Sequence, residues 1–224
     1  MNDLDARREL IKTVRQMNAL GINQGTSGNA SIREGNGYLI TPSGMAYDDM
    51  TPEDIVFKKF AGDYESPNGL RKPSSEWRFH EDILKTRRDV NAVVHTHGKA
   101  VMTVACLNRD LPAFHYMIGV AGGDSVRCAP YRTFATQELS DVTLIALEDR
   151  KACLLANHGQ IALGGTLKQA LSMAQEVETL CDVFCRTLAV GGPTILTKKQ
   201  MDEAISKFRK GYGTGKSFLP NPEQ

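Results

Sequence analysis

An α/β fold layered around a single sheet is what the sequence predicts. Short apolar runs, such as AVV at 92–94 and ACLL at 152–155, are interleaved with longer stretches of helical period. A hairpin pattern near the N-terminus indicates that the sheet is not purely parallel. The 224 residues are 41% hydrophobic, and this length and composition suit one domain spanning 1–224 with a sizeable core.

The first part of the chain predicts a helix, a hairpin and a strand. Apolar residues between positions 3 and 20 recur at helical spacing, and Gly21 ends the pattern. Residues 30–44 predict a hairpin that turns at 34–37, where GNG supplies residues that tolerate positive φ. The run DIVFKKF, at 54–60, predicts a further strand.

In the rest of the chain, helices alternate with the two apolar strands. Residues 111–134 are rich in Gly and Pro, so we expect irregular structure there. The stretch from about 211 is also rich in Gly and Pro, and we expect a mobile tail. The helices are predicted at about 74–87 (capped by Ser74 or Ser75), 99–107, 136–149 (capped by Thr136), 167–189 (capped by Thr166) and 198–209.

Composition argues against several classes of protein. The net charge of +1 gives no bulk electrostatic reason to expect a nucleic-acid or membrane partner. No apolar run is long enough to span a bilayer, and the charged N-terminal stretch is unlike a signal peptide. The five cysteines form no CxxC pair, which favours reduced core residues and a cytoplasmic protein.

Two histidines directly follow the AVV strand. Side chains two residues apart on a strand point the same way, so His95 and His97 should project together from one face. His158 follows the second apolar strand at a similar junction. Three imidazoles suit zinc and similar divalent ions, and they leave a fourth position for water, substrate or a carboxylate. A lone histidine is more often structural, but this set predicts a metal site.

The carboxylate candidate is Glu76, in PSSEW at the start of a predicted helix. Acidic residues are common in a first helical turn because they interact favourably with the helix dipole, so this position alone does not indicate a ligand. Ser74 and Ser75 beside it offer hydroxyls and free backbone N–H groups that can hold a phosphate. His80 and His115 are expected to be structural or to lie behind the ligands.

Two further stretches are rich in small hydrogen-bonding residues, namely GTSGNAS at 25–31 and TPSG at 41–44. Each alone is typical of a turn, and neither is followed by the GK[ST] of a P-loop. Together with Ser74 and Ser75 they predict a pocket that binds an oxyanion through neutral donors.

A set of motifs resembles the class II aldolase and adducin family across about residues 5–212. The motifs are GTSGNAS, LITPSG, KPSSEWRFH, NAVVHTH, PAFHYMI, CAPYRTF with TxEL, and NHG. Within the family they are most similar to those of the L-fuculose-1-phosphate aldolases. One departure is Thr96, where asparagine is expected. Its side chain should point away from the ligands, so the departure says little about the metal.

The resemblance implies a fold, a metal and an assembly. The fold is a three-layer αβα sandwich around a largely antiparallel or mixed sheet, assembled as a homotetramer with active sites at subunit interfaces. The metal is one zinc ion per subunit, with manganese or cobalt as substitutes. Its ligands would be Glu76, His95, His97 and His158.

The resemblance also implies roles for residues outside the ligand set. Tyr116 matches a tyrosine that reaches the active site of a neighbouring subunit, and Tyr212, in the tail, is the candidate for a second such tyrosine. The implied donors to a substrate phosphate are Gly28, Asn29, Ser43, Gly44, Ser74 and Ser75.

The implied activity is reversible cleavage of a ketose 1-phosphate of the L-fuculose 1-phosphate type into dihydroxyacetone phosphate and an aldehyde such as L-lactaldehyde. Glu76 would handle the proton at C3 and Tyr116 the proton on the aldehyde oxygen, so no lysine Schiff base is needed. Alternative substrates are 5-deoxyribulose 1-phosphate and 5-methylthioribulose 1-phosphate. An L-ribulose-5-phosphate 4-epimerase, for which aspartate is expected at Glu76, and an adducin-like binding module are further alternatives.

Overall fold

The computed structural model describes residues 3–211, which contain one eight-stranded sheet. The order across the sheet is β4-β3-β2-β1-β5-β8-β7-β6, and every neighbouring pair is antiparallel except β6 and β7. The prediction of a mixed, largely antiparallel sheet is therefore confirmed. The strands are β1 (Asn29–Glu34), β2 (Gly37–Ile40), β3 (Val56–Lys59), β4 (Tyr64–Glu65), β5 (Ala92–Thr96), β6 (Cys128–Ala129), β7 (Ala152–Leu155) and β8 (Gly159–Gly164).

Helices cover both faces of the sheet, which confirms the layered α/β architecture. Apolar side chains of α1 and α5 pack on one face, and those of α2 and α4 pack on the other. The helix α3 packs against α5. The helices are α1 (Asp3–Ala19), α2 (Trp77–Thr86), α3 (Lys99–Ala105), α4 (Gln137–Ala146), α5 (Leu167–Ala189) and α6 (Lys198–Arg209). None of these helices is both long and apolar enough to cross a bilayer.

The alternation of side chains along β5 decides which layer receives each residue. Val94 joins the apolar layer beneath α1 and α5, whereas Val93 joins the layer beneath α2 and α4. His95 is two residues beyond Val93, so its side chain projects toward α2. Thr96 faces the other way, and its hydroxyl accepts a hydrogen bond from the Gln160 amide on the α5 side. The strand therefore separates the histidine from Thr96 as its period of two requires.

Three local features differ from the sequence prediction. The helix α2 begins at Trp77, with Glu76 as its N-cap residue, because the Ser74 hydroxyl accepts the Glu76 N–H outside the helix. The irregular stretch 111–134 contains a 3₁₀ helix, Tyr116–Ala121, and the short strand β6. The strand β8 was not predicted, and it pairs between β5 and β7 in the middle of the sheet.

Candidate metal centre

Four side chains predicted as ligands converge at one end of β5. Each of Glu76, His95, His97 and His158 offers one oxygen or nitrogen atom, and these four atoms all lie within 4.8 Å of one another. Glu76 and His95 are buried, and the two other histidines are partly exposed. The cluster therefore has an accessible side, and it could hold a metal ion.

The four side chains come from the ends of three parts of the fold, with two of them at the end of β5. His95 is the penultimate residue of β5, and His97 directly follows the strand. His158 lies in the tight turn that joins β7 to β8, after Asn157 at a φ of 55°. Glycine at position 159 lets this turn approach β5, since a Cβ there would lie 2.5 Å from the Thr96 carbonyl oxygen. Glu76 reaches the same point from the N-terminus of α2.

The protonation of His95 is fixed by a backbone contact. Its Nδ1 lies 2.8 Å from the carbonyl oxygen of Gln160, which can only accept, so Nδ1 carries the proton. The other ring nitrogen, Nε2, then presents a lone pair to the cluster. It lies 2.7 Å from His97 Nε2 and 3.1 Å from Glu76 Oε2. Donation from the second ring N–H to a backbone carbonyl is a common way to orient a metal-binding imidazole.

The donor set fits a divalent cation of the zinc type. The Nε2 atoms of His95 and His97 and a Glu76 oxygen lie at hydrogen-bond distance from one another, so a cation or protons must lie between these electron-rich atoms. Glu76 Oε1 is buried and has no hydrogen-bond donor among residues 3–211, although His158 Nε2 lies 3.3 Å away. Three imidazoles and one carboxylate are ligands that zinc, cobalt and manganese all accept.

The surroundings of His97, His158 and Glu76 shift their pKa values toward the protonation states that bind a metal ion. Burial, reinforced by neighbouring His95, lowers the pKa of His97 to about 3 and that of His158 to about 4. Burial alone would raise the pKa of Glu76, but His95, His158 and the Asn29 amide outweigh it and bring that pKa to about 2. Neutral His97 and His158 beside an ionised Glu76 are therefore expected across the neutral pH range.

The metal-free protein should lose stability as the pH falls from 7 to 4. Unfolded histidines bind protons below a pKa of 6.5, whereas folded His80, His97 and His158 have lowered pKa values, so acid favours the unfolded state. Fully buried His80 alone contributes up to about 1.4 kcal/mol per pH unit in this window. Glu76 adds to the loss between pH 4.5 and 2.

Urea unfolding of EDTA-treated protein at pH 7, 6, 5 and 4 measures this dependence. The matched variant His158→Ala should show a smaller decrease between pH 7 and 4, because one depressed histidine has been removed. A free energy of unfolding that is constant or rises toward pH 5 would contradict the assigned protonation states.

Four of the six residues predicted to hold a phosphate, Ser43, Gly44, Ser74 and Ser75, line two loops that are joined to each other. The Ser43 N–H donates to the Lys72 carbonyl, and the Ser74 N–H donates to the Thr41 carbonyl, so TPSG and PSSE run side by side. Ser43, Gly44 and Ser75 are exposed, with Gly44 at a φ of 68°. These three residues are free to contact a ligand beside Glu76.

The three other predicted phosphate donors are buried. The Ser74 hydroxyl accepts the Glu76 N–H at 3.3 Å. Gly28 packs against the β5 backbone, where a Cβ would lie 2.6 Å from the His95 carbonyl oxygen. The Asn29 side-chain amide donates to Glu76 Oε2 at 3.0 Å, so that amide is engaged with the carboxylate.

Sequence reasoning assigned no specific task to His80, which is 0% exposed. Its Nε2 lies 2.5 Å from Asn29 Oδ1, and its Nδ1 lies 2.7 Å from the Ser31 hydroxyl. His80 follows Glu76 by four residues, which places the two one helical turn apart on the same side of α2. This spacing is the signal that could have linked His80 to the site.

Of the two predicted tyrosines, Tyr116 lies within the part of the chain that the structure describes. The Tyr116 ring stacks on Phe208 of α6, with 6.2 Å between ring centroids, and Tyr116 is 45% exposed. Its role at a neighbouring subunit's site stays a prediction. Tyr212 and the predicted tail that follows it lie outside the described residues.

Comparison with known proteins identifies the family to which this arrangement belongs. The family described as "Class II Aldolase and Adducin N-terminal domain" matches residues 8–185, a range that contains all four converging side chains. The chain belongs to the class II aldolase and adducin family. As its relatives below indicate, it is an enzyme of the metal-dependent class II aldolase type.

Two curated relatives match over nearly their full length. A 5-methylthioribulose-1-phosphate/5-deoxyribulose-1-phosphate aldolase from Rhodospirillum rubrum is 51% identical over 216 residues, covering 96% of each chain. An L-fuculose phosphate aldolase from Escherichia coli K12 is 46% identical over 207 residues, covering 92% of this chain and 94% of the relative. A solved L-fuculose 1-phosphate aldolase superposes with a TM-score of 0.87 at 37% identity, covering 92% and 96% of the two chains.

These identities change the order of the predicted substrates. The sequence motifs favoured the fuculose phosphate type, with the ribulose 1-phosphates as the alternative. The Rhodospirillum rubrum relative shares more of this chain than the Escherichia coli fuculose relative does, so the comparisons support the alternative better. Both relatives are aldolases of ketose 1-phosphates, and that class holds for this chain as well.

Proposed function

We propose that this chain reversibly cleaves 5-deoxyribulose 1-phosphate or its 5-methylthio analogue into dihydroxyacetone phosphate and acetaldehyde or methylthioacetaldehyde. The observation that carries this proposal is the Glu76 and three-histidine cluster, in a chain 51% identical to an aldolase of these substrates. L-Fuculose 1-phosphate, with L-lactaldehyde as product, is the second candidate, favoured by the 46% identity and the TM-score of 0.87.

The proposed metal is zinc, held by Glu76, His95, His97 and His158, with manganese or cobalt as substitutes. A divalent ion bound there would act as a Lewis acid toward negative charge that develops on substrate oxygens. The lone pair of His95 Nε2 faces the cluster because Gln160 holds the proton on Nδ1. The accessible side of the cluster, near His97 and His158, is where we place the substrate.

Glu76 is proposed to carry the proton at C3. In cleavage, the C4 hydroxyl loses its proton, the C3–C4 bond breaks, and its electron pair passes into the enediolate of dihydroxyacetone phosphate. Protonation of C3 by Glu76 then completes that product, and in condensation the ionised carboxylate removes the same proton. Support for this role comes from the buried position of Glu76 and from its Oε1, which lacks a donor among the described residues.

The substrate phosphate is proposed to bind neutral donors beside Glu76. The exposed residues Ser43, Gly44 and Ser75 offer hydroxyls and backbone N–H groups on adjoining loops. Buried Gly28, Asn29 and Ser74 support this pocket, since the side chains of Asn29 and Ser74 already bond to Glu76.

The remaining parts of the proposal concern assembly. We place Tyr116 at the active site of a neighbouring subunit in a homotetramer, where its hydroxyl would exchange a proton with the aldehyde oxygen. Its 45% exposure in the single chain supports this placement. Tyr212 is proposed as a second such residue. A tetrameric mass in sedimentation, with cleavage lost in Tyr116→Phe, is the expected result, and a fully active monomer would contradict it.

A panel of aldehydes tests the substrate assignment. Purified protein and dihydroxyacetone phosphate are incubated with acetaldehyde, methylthioacetaldehyde, L-lactaldehyde, D-lactaldehyde or glycolaldehyde, with and without EDTA. We expect EDTA-sensitive condensation, fastest with acetaldehyde or methylthioacetaldehyde. A clear preference for L-lactaldehyde would shift the assignment to the fuculose type. No condensation, together with conversion of L-ribulose 5-phosphate into D-xylulose 5-phosphate, would replace the aldolase by an epimerase.

A further inference from the structure

We propose that His80 is a positioning residue that holds Glu76 in place by acting through Asn29. The inference rests on the metal site proposed above and adds to it a buried chain of hydrogen bonds that ends on the Glu76 carboxylate. The members, from far end to near end, are Ser31, His80, Asn29 and Glu76.

The direction of each hydrogen bond follows from the charge on Glu76. An ionised carboxylate only accepts, so the Asn29 group 3.0 Å from Oε2 is the amide N–H. The Asn29 carbonyl Oδ1 therefore faces His80, and His80 Nε2 must donate the proton across 2.5 Å. A neutral imidazole then has an acceptor at Nδ1, which receives the Ser31 hydroxyl proton at 2.7 Å.

The opposite orientation of this chain is electrostatically unfavourable. If the Asn29 amide turned over, its carbonyl oxygen would meet Glu76 Oε2 and its N–H would meet His80 Nε2–H, giving one acceptor pair and one donor pair. The N–H on His80 Nε2 thus selects the orientation in which Asn29 donates to Glu76. Without that N–H, only the carboxylate favours this orientation, and Asn29 Oδ1 loses the hydrogen bond from His80 that holds the amide in place.

The sheet and the core hold these four hydrogen-bonded residues in place. Asn29 and Ser31 lie two residues apart on β1, so both project to the α2 side of the sheet. Asn29 pairs directly with His95 across β1 and β5. His80 is fully buried and its ring packs against Phe79, with 4.7 Å between ring centroids. The pair of strands β1 and β5 therefore positions both side chains, His95 directly and Glu76 through Asn29.

Two consequences distinguish this role from simple core packing. Polar partners behind metal ligands typically change metal affinity by about 10- to 100-fold when they are removed. Loss of His80 Nε2–H should therefore weaken metal binding and slow proton transfer by Glu76. The Michaelis constant for the phosphorylated substrate should stay the same, because the hydrogen bonds of His80 go to Ser31 and Asn29 and not to the exposed residues Ser43, Gly44 and Ser75.

Cobalt titration of the apoprotein tests the inference without relying on turnover. The variants are His80→Phe, His80→Gln, Asn29→Ala and the double variant, with Co²⁺ affinity measured by competition with a chelator and by the visible spectrum. Phenylalanine keeps the ring, and glutamine restores an N–H near the position of Nε2. The matched control is Tyr38→Phe. It removes a buried hydroxyl that also contacts α2 but does not belong to the hydrogen bonds linking Ser31, His80, Asn29 and Glu76.

We expect His80→Phe to lower the Co²⁺ affinity by about 10- to 100-fold and to lower kcat, with KM for dihydroxyacetone phosphate within about twofold. His80→Gln should recover most of the loss, and Tyr38→Phe should bind as the wild type does. In the Asn29→Ala background, His80→Phe should have almost no further effect, since His80 acts through that amide.

The outcomes separate this inference from the proposed function. Wild-type protein that binds no Co²⁺ would overturn the metal site together with the inference. Normal wild-type binding with unchanged affinity in His80→Phe, or with additive effects of His80→Phe and Asn29→Ala, would overturn the role of His80 alone. If His80→Phe does not fold, Ser31→Ala replaces it, with a smaller loss expected that again vanishes in the Asn29→Ala background.

Discussion

Replacing Glu76 by glutamine is expected to slow aldol condensation by at least about 100-fold, the lower end of what a positioned acid or base contributes. Glutamine has the same length, so the side chain still reaches the cluster, but an amide cannot take the proton from C3. The rate is measured with dihydroxyacetone phosphate and the best aldehyde of the panel. Co²⁺ content is measured on the same sample, and we expect bound metal in the variant.

The control for Glu76→Gln is Glu81→Gln. Glu81 is a second buried carboxylate on α2, paired with Lys58 at 2.7 Å and Lys85 at 2.5 Å and absent from the ligand cluster. Its substitution should reduce stability and leave the condensation rate per folded, metal-loaded molecule within about threefold, since it contacts no ligand. Condensation by Glu76→Gln within tenfold of the wild type, with metal bound, would remove Glu76 as the proton carrier.

The substitution His158→Ala is expected to weaken Co²⁺ affinity by at least about 100-fold and to abolish condensation at micromolar metal. His158 lies in the turn between β7 and β8, and its side chain is 14% exposed, so its removal leaves the apolar layers intact. The apoprotein should therefore stay folded at pH 7. Affinity is measured by competition with a chelator, and folding by circular dichroism.

The matched histidine for this comparison is His115. It precedes the 3₁₀ helix Tyr116–Ala121, where its Nδ1 accepts the Met117 N–H at 3.3 Å, and it does not belong to the cluster. The variant His115→Ala should bind Co²⁺ as tightly as the wild type does. Equal affinities of His158→Ala and wild type would contradict a three-histidine site.

The clustering of the three histidines could be predicted from the sequence because strand geometry is local. Two residues apart on a strand is enough to place His95 and His97 on one face, and the apolar residues before them show where the strand ends. The position of His158 followed from the same reasoning on β7. The fold class was predictable for a similar reason, since the helical and strand periods alternate clearly along the chain.

The strand that joins these histidines escaped prediction. β8 begins and ends with glycine and carries Gln160, so neither β-propensity nor alternation marks it. Its position in the middle of the sheet depends on pairing with β5, about 65 residues earlier in the sequence, as the contact between His95 and the Gln160 carbonyl shows. That backbone contact sets the His95 tautomer, and no sequence pattern encodes it.

The contacts around Glu76 were also beyond local reasoning. The helix start at Trp77 depends on the Ser74 hydroxyl, and the hydrogen bond from Asn29 joins residues 47 positions apart. Small polar residues in GTSGNAS indicated a phosphate pocket, yet the Asn29 amide is engaged with Glu76. Only the pairing of β1 with β5 reveals that this asparagine lies beside the ligands.

Exchange of the hydroxymethyl protons of dihydroxyacetone phosphate with D₂O, without any aldehyde, tests most directly whether Glu76 performs metal-dependent proton transfer at the carbon that becomes C3. Deuterium incorporation is followed by proton NMR for the metal-loaded wild type, the EDTA-treated wild type and Glu76→Gln. We predict exchange of one proton by the loaded wild type, and none above background for the two others. Exchange that persists in EDTA or in Glu76→Gln, or no exchange by a metal-loaded wild type that performs condensation, would contradict that role of Glu76.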